Sequence, residues 1–289
     1  MSSKDEELIH DIAAEHHIAV DEAALKKAEQ YIEAEECAIN RLTGLLGRFV
    51  VVVAVVMSFF HLYAAYAIVP TQQLRMVHVG FVLFLSYLLF PFSRGYRHRV
   101  MWWDWIAAAV SLVVIGYGIA GGDDFTDRST IPTNLDMVFG VILTLLVLEA
   151  ARRGTGWIMP FVCVLFVAYA MLGPYLGEPW THRGYDISRL VGHMYMTLEG
   201  IFGVPVDVSS SLIILFTIYG AFLQFSGAGK FFIDFSFAAM GGKHSGAGRT
   251  IVLSSFLLGG PSGSGVATTV TLGTVAYPML AKAGYGKDA

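Results

Sequence analysis

Charge is what this chain has least of: 15 % of its 289 residues are charged, and the formal net charge is only −4. A soluble domain carries about 25 % charged residues, so that class is excluded. No basic excess is present that would suit a nucleic-acid partner. Cysteine is equally scarce, at Cys37 and Cys163 alone, which excludes a disulfide framework. The chain lacks paired catalytic carboxylates, a His/Cys cluster and a G-x-S-x-G elbow, so it is not read as an enzyme. Gly227-Ala228-Gly229-Lys230 is not spaced as a phosphate loop, since Phe231 stands where a hydroxyl would meet magnesium. What is abundant is apolar surface: 55 % of residues are hydrophobic and mean hydropathy is +0.60. The fold class that follows is an all-α integral membrane protein, with lipid as its first partner.

In order along the chain, residues 1–42 are polar, and Lys4 to Asn40 reads as one or two amphipathic helices outside the bilayer. No cleavable signal peptide is expected there, and His10, His16 and His17 have no ordered ligand spacing. Six spans are expected, at Phe49–Val69, Met76–Phe92, Ile106–Ala120, Leu135–Ala151, Gly156–Leu176 and Asp207–Phe225. Asp186–Gly200 has apolar residues spaced for a helix lying in the interface. Arg48 precedes the first span, while arginines gather after the second and fourth, and Asp123, Asp124 and Asp127 follow the third. The positive-inside rule then places the N-terminus in the cytoplasm.

Ionisable groups near the spans admit bland readings. Asp104, Asp136 and Glu149 suit caps or pairs, Glu149 with Arg152 or Arg153 one turn on. His61 and His78 read either as neutral, hydrogen-bonded core histidines or as protonatable groups. Ser209, Ser210 and Ser211 suit an outer N-cap or a small-residue packing surface, with packing the preferred reading.

The last forty residues are different. Thr250–Leu258 and Val266–Leu280 are each too short to span, and Gly259-Gly260-Pro261-Ser262-Gly263-Ser264-Gly265 separates them. The expectation is a re-entrant hairpin over about residues 249–282, whose halves bring carbonyls and N–H groups to one tip. Broken helices of this kind mark the binding site of secondary transporters. Oxygen atoms at Gly260, Ser262, Gly263 and Ser264 suit a hard cation, with Ser262, Gly263 and Ser264 as the sodium candidates. N–H groups near Gly265 and Val266 suit an anionic carboxylate.

The run GGPSGSGVATTVTLGTVAYPMLAKAGY resembles the first hairpin of the large membrane subunit of tripartite ATP-independent periplasmic (TRAP) transporters. It departs at Thr268, where the family usually has Asn. HRGYDISRLVGHMYMTLEGIFGVPVDVSS and YGAFLQFSGAGKFFIDFSFAAMGG look like the subgroup with fused small and large subunits that works with TAXI-type binding proteins. The resemblance implies a multi-pass permease of a bacterial or archaeal inner membrane, importing a small organic acid with Na+ or H+ and no organic cofactor. Its partner would be a TAXI-type periplasmic binding protein. It also implies a four-helix scaffold at 43–153 and an elevator-type transport domain from 154 to 289, with a second hairpin beyond the present chain. The chain is therefore expected to be truncated, with half its binding site missing. Two other readings stand beside this one: an ion channel whose re-entrant loop is the filter, and a scaffold fragment that does not transport.

Overall fold

A computed structural model of the chain describes residues 40, 42–93, 99–226, 228–240, 246–262, 272, 273, 276 and 280. The amphipathic segment read at Lys4–Asn40 lies outside these residues except for Asn40, and His10, His16 and His17 lie outside with it. The chain divides into two compact units, one of residues 37–214 and one that includes 215–289.

All the regular structure among the described residues is helical. The first unit contains α1 (Gly44–Tyr66), α2 (Thr71–Leu89), α3 (Trp102–Asp127), α4 (Asn134–Thr155), α5 (Ile158–Leu172) and α6 (Ile187–Val191). A helix then runs from Val204 to Phe225 in three parts: α7 (Val204–Val208), a π-helical turn (Ser209–Ile213) and α8 (Ile214–Phe225). The unit boundary falls between Ile214 and Leu215. The second unit holds α9 (Ala228–Met240) and α10 (Gly246–Ser262). Six helices among the described residues are long and apolar enough to cross a membrane. They fall on the six expected spans, within about five residues at each end except the finish of the third, which runs to Thr130 where Ala120 was expected.

Local chemistry sets several helix ends. Pro70 stands immediately before α2, where its fixed φ of −54° suits the turn out of α1. Thr133 caps α4: its hydroxyl accepts from the Asp136 amide at 3.3 Å, while Asp136 accepts from the Thr133 amide at 2.9 Å. Gly156 closes α4 at a φ of +85°, a left-handed conformation that other residues adopt only under strain. Arg152 and Arg153 lie in the last turn of the same helix, where cations oppose the negative end of its dipole.

Helices α1 to α4 run up and down, so the starts of α1 and α3 share one end with the finishes of α2 and α4. Asn40, ahead of α1, donates to the Leu88 carbonyl at the finish of α2 at 3.2 Å. The core between α2, α3 and α4 is filled by Met76, Leu83, Tyr87, Val114, Phe125 and Leu143. The segment read as an interfacial helix is instead part of this core. After α6 it tightens into a π-helical turn, Gly192–Met196, and Val191, Tyr195 and Met196 are buried against α3 and α4. Two glycines make that approach possible. A Cβ on Gly140 would overlap the Val191 side chain, and one on Gly192 would overlap the Ser129 carbonyl oxygen. Tyr195 donates its hydroxyl to the Val114 carbonyl at 2.6 Å. Burial pushes its ionisation upward, so it remains a donor.

Candidate functional site: the α9–α10 arm and the intramembrane polar groups

The second unit is built on the packing of α9 against α10. Three hydroxyl residues on these helices are buried: Ser236, Thr250 and Ser254. Ser236 donates to the Phe232 carbonyl one turn back at 2.6 Å, and Thr250 reaches the Ser236 carbonyl across the helix pair at 3.5 Å. Ser254 is 1 % exposed, and its hydroxyl has no hydrogen-bond partner among the described residues.

The expected first half-helix, Thr250–Leu258, proves to be part of a longer element. Helix α10 begins at Gly246 and carries its turn through Gly259, Gly260 and Pro261 to Ser262. Glycine lowers helix propensity without blocking the geometry. Proline's effect falls one turn back, because Pro261 supplies no N–H to the Leu257 carbonyl. The described run is 17 residues, and residues outside the described ones border it on both sides. Gly260 and Ser262 lie in the last described turn of α10. Gly263, Ser264, Gly265, Val266 and Thr268 lie outside the described residues, as do the remaining tip contacts expected from them. Ala228, Gly229 and Lys230 form the first turn of α9, and Gly227 lies outside the described residues.

In the first unit, a chain of polar side chains crosses between helices. His61 of α1 faces the Met57 carbonyl through Nδ1 at 2.7 Å and His78 of α2 through Nε2 at 2.9 Å. His78 Nε2 meets the Ser209 hydroxyl, at the start of the π-helical turn, at 3.0 Å. Ser209 is thus a polar contact of a histidine, which the packing reading of the three serines missed. Ser210 and Ser211 both donate to the Asp207 carbonyl, at 3.1 and 2.6 Å. One turn along α2, Arg75 pairs with Asp207 at 2.9 Å and donates to the Phe202 carbonyl at 2.8 Å.

The two ends of the bundle carry ion pairs. At the arginine-bearing end, Arg153 bridges Asp104 at 2.7 Å and Glu149 at 2.8 Å, while Arg152 holds Glu149 at 2.7 Å. The guanidinium of Arg153 also lies 4.9 Å from the Tyr87 ring centroid. At the opposite end, Arg128 grips Asp136 at 2.8 and 3.0 Å, and Tyr117 adds a hydrogen bond at 2.9 Å. The carboxylates near the span ends are therefore pairing groups. Among the described residues, no group of three or more His, Cys, Asp or Glu is placed to hold a metal ion.

Residues 142–289 match a family described as the tripartite ATP-independent periplasmic transporter, DctM component. The matched stretch begins inside α4 and takes in everything after it, including the α9–α10 pair. No curated protein and no solved structure matches the chain. Six membrane-length helices among the described residues and a family match over half the sequence agree: the chain belongs to the DctM family of TRAP transporter permeases.

Proposed function

We propose that this permease takes a small organic carboxylate from a TAXI-type periplasmic binding protein and carries it inward with Na+ or H+. The observation that carries the proposal is the family match over residues 142–289. The sequence of α10 supports it, being rich in helix-weakening residues where it meets the Ser-Gly-Ser run. In this reading the carbonyls and hydroxyls of Gly260, Ser262, Gly263 and Ser264 replace water around the cation. The amides near Gly265, with Thr268 beside them, face the carboxylate. Residues 43–153 act as the scaffold, and 154–289 belong to the part that moves in an elevator fashion.

The energetics need no ATP. One charge falling through 100 mV releases about 2.3 kcal/mol, so two net charges support a concentration ratio above about a thousandfold. The test is uptake of radiolabelled carboxylates into proteoliposomes, with the binding protein supplied outside and Na+ and H+ gradients imposed separately. Uptake should follow one of the two gradients, and Ser262→Ala and Ser264→Ala should each reduce it by about tenfold or more, the loss of one charge-assisted contact. Uptake that ignores both gradients would overturn the proposal.

A further inference from the structure

The His61–His78–Ser209 chain has a proton inventory that can be worked out atom by atom. The Met57 carbonyl can only accept, so His61 Nδ1 carries a hydrogen. In the neutral ring His61 Nε2 is then a lone pair, and His78 Nδ1 must donate to it. His78 Nε2 is in turn a lone pair, which accepts from the Ser209 hydroxyl. Every hydrogen bond therefore points the same way, from Ser209 towards Met57. Both imidazoles are nearly sealed, with His61 1 % and His78 4 % exposed. All three residues lie roughly 8 to 10 Å in from the helix ends that share the Arg128–Asp136 pair, at 1.5 Å of rise per residue.

We infer that His61, His78 and Ser209 form an intramembrane binding site for a single proton, and that the Ser209 hydroxyl passes its occupancy to the helix Val204–Phe225. An added proton bonds to His78 Nε2, the one ring nitrogen whose partner can exchange donor and acceptor roles. The Ser209 oxygen then accepts from the new N–H, and its own hydrogen swings to a backbone carbonyl one turn back, where Pro205 stands. His78 can also pass its Nδ1 hydrogen to His61 Nε2 as it takes the new one, so the positive charge is shared by two rings. A second proton has no place, because it would put two N–H groups face to face across the 2.9 Å gap.

The charges around the site leave it to the imidazoles. Arg75 of α2 and Asp207 of α7 lie one turn away and neutralise each other. The charged groups of α3 and α4 sit towards their ends, in the Asp104–Arg153–Glu149 and Arg128–Asp136 pairs and at Asp123, Asp124 and Asp127. Among the described residues Arg48 of α1 is at the far end of that helix, and the π-helical turn has no ionisable side chain.

The test is a titration of the full chain in lipid nanodiscs, with histidine labelled by 15N, from about pH 4 to about pH 9, which brackets the ordinary imidazole value of about 6.5. Coupling across the hydrogen bond between the facing nitrogens identifies the pair, so the first reading needs no variant. The result expected is two Nδ1–H tautomers at high pH and one proton taken up by the pair on acidification. Ser209→Ala should lower the pair's proton affinity about tenfold, since a hydrogen bond to the charged ring is stronger than one to the neutral ring. His78→Gln should abolish the coupling signal. Uptake of two protons, uptake of none, or a midpoint that ignores Ser209→Ala would overturn the inference. The titration reads the site whether or not the chain carries a carboxylate, so its failure is distinct from failure of the transport proposal.

Discussion

Arg153 shows what a single side chain does at the end of this bundle. Its guanidinium is 3 % exposed and spans α3 and α4 by holding Asp104, itself 2 % exposed, together with Glu149. It also donates to the Phe90 carbonyl beyond the last turn of α2, at 3.2 Å. Arg152 is its sequence neighbour, 14 % exposed, but its carboxylate partner is Glu149, which Arg153 serves as well. The consequence is an asymmetry between two adjacent arginines. Arg153→Ala leaves Asp104 buried and uncompensated and should destabilise the protein by about 3 to 5 kcal/mol. Arg152→Ala leaves Glu149 still paired and should cost about 1 kcal/mol or less. Thermal unfolding of the two variants in the same lipid mixture checks this, and equal losses would show that the Asp104 pair is not sealed. Adding Asp104→Ala to Arg153→Ala should recover part of the loss, because the orphaned charge goes with it.

At the scale of elements, the telling case is the segment Asp186–Gly200, which contains α6. Its apolar residues repeat as a helix would, yet it forms one short helix, a π-helical turn and a run of turns, all folded onto α3 and α4. The contact depends on close backbone approach at Gly192, where any side chain meets the Ser129 carbonyl. Gly192→Ala should therefore destabilise by about 1 to 3 kcal/mol, as overpacking does. Gly116→Ala, where an added methyl meets open space, is the control, and it should be neutral or mildly stabilising in the same unfolding experiment. Spans were legible in the sequence because a membrane helix declares itself by an apolar run of sufficient length, and the Glu149 pairs were legible because they are local, at i+3 and i+4. The polar chain was not: His61 and His78 are separated by 17 residues and Ser209 by 131 more, and no local pattern records which helix faces meet. Apolar spacing at Val191 and Tyr195 gave a buried face without saying whether lipid or protein covers it. Only the far partner, glycine at Gly140, decides that. The end of α10 was placed too early, since Gly259 and Gly260 permit the helix that their low propensity argued against.

For the whole molecule, the distribution of charge fixes which way the bundle stands in the membrane. The end formed by the starts of α1 and α3 and the finishes of α2 and α4 carries Arg48, Arg99, Arg152 and Arg153. The other end exposes Asp123 and Asp124, and its Arg128 and Arg75 are committed to Asp136 and Asp207. Cytoplasmic loops are enriched in arginine and lysine, so the first end should face the cytoplasm. The helix that begins at Val204 then starts near the outer face and leads inward. Thiol labelling of intact cells tests this directly, in a background where Cys37 and Cys163 are replaced by Ser. An impermeant reagent should modify Asp123→Cys at once and should reach Thr155→Cys only after the membrane is opened, both positions being exposed on the protein. The reverse pattern would invert the bundle and leave the proposed inward direction of carriage without support from its charges.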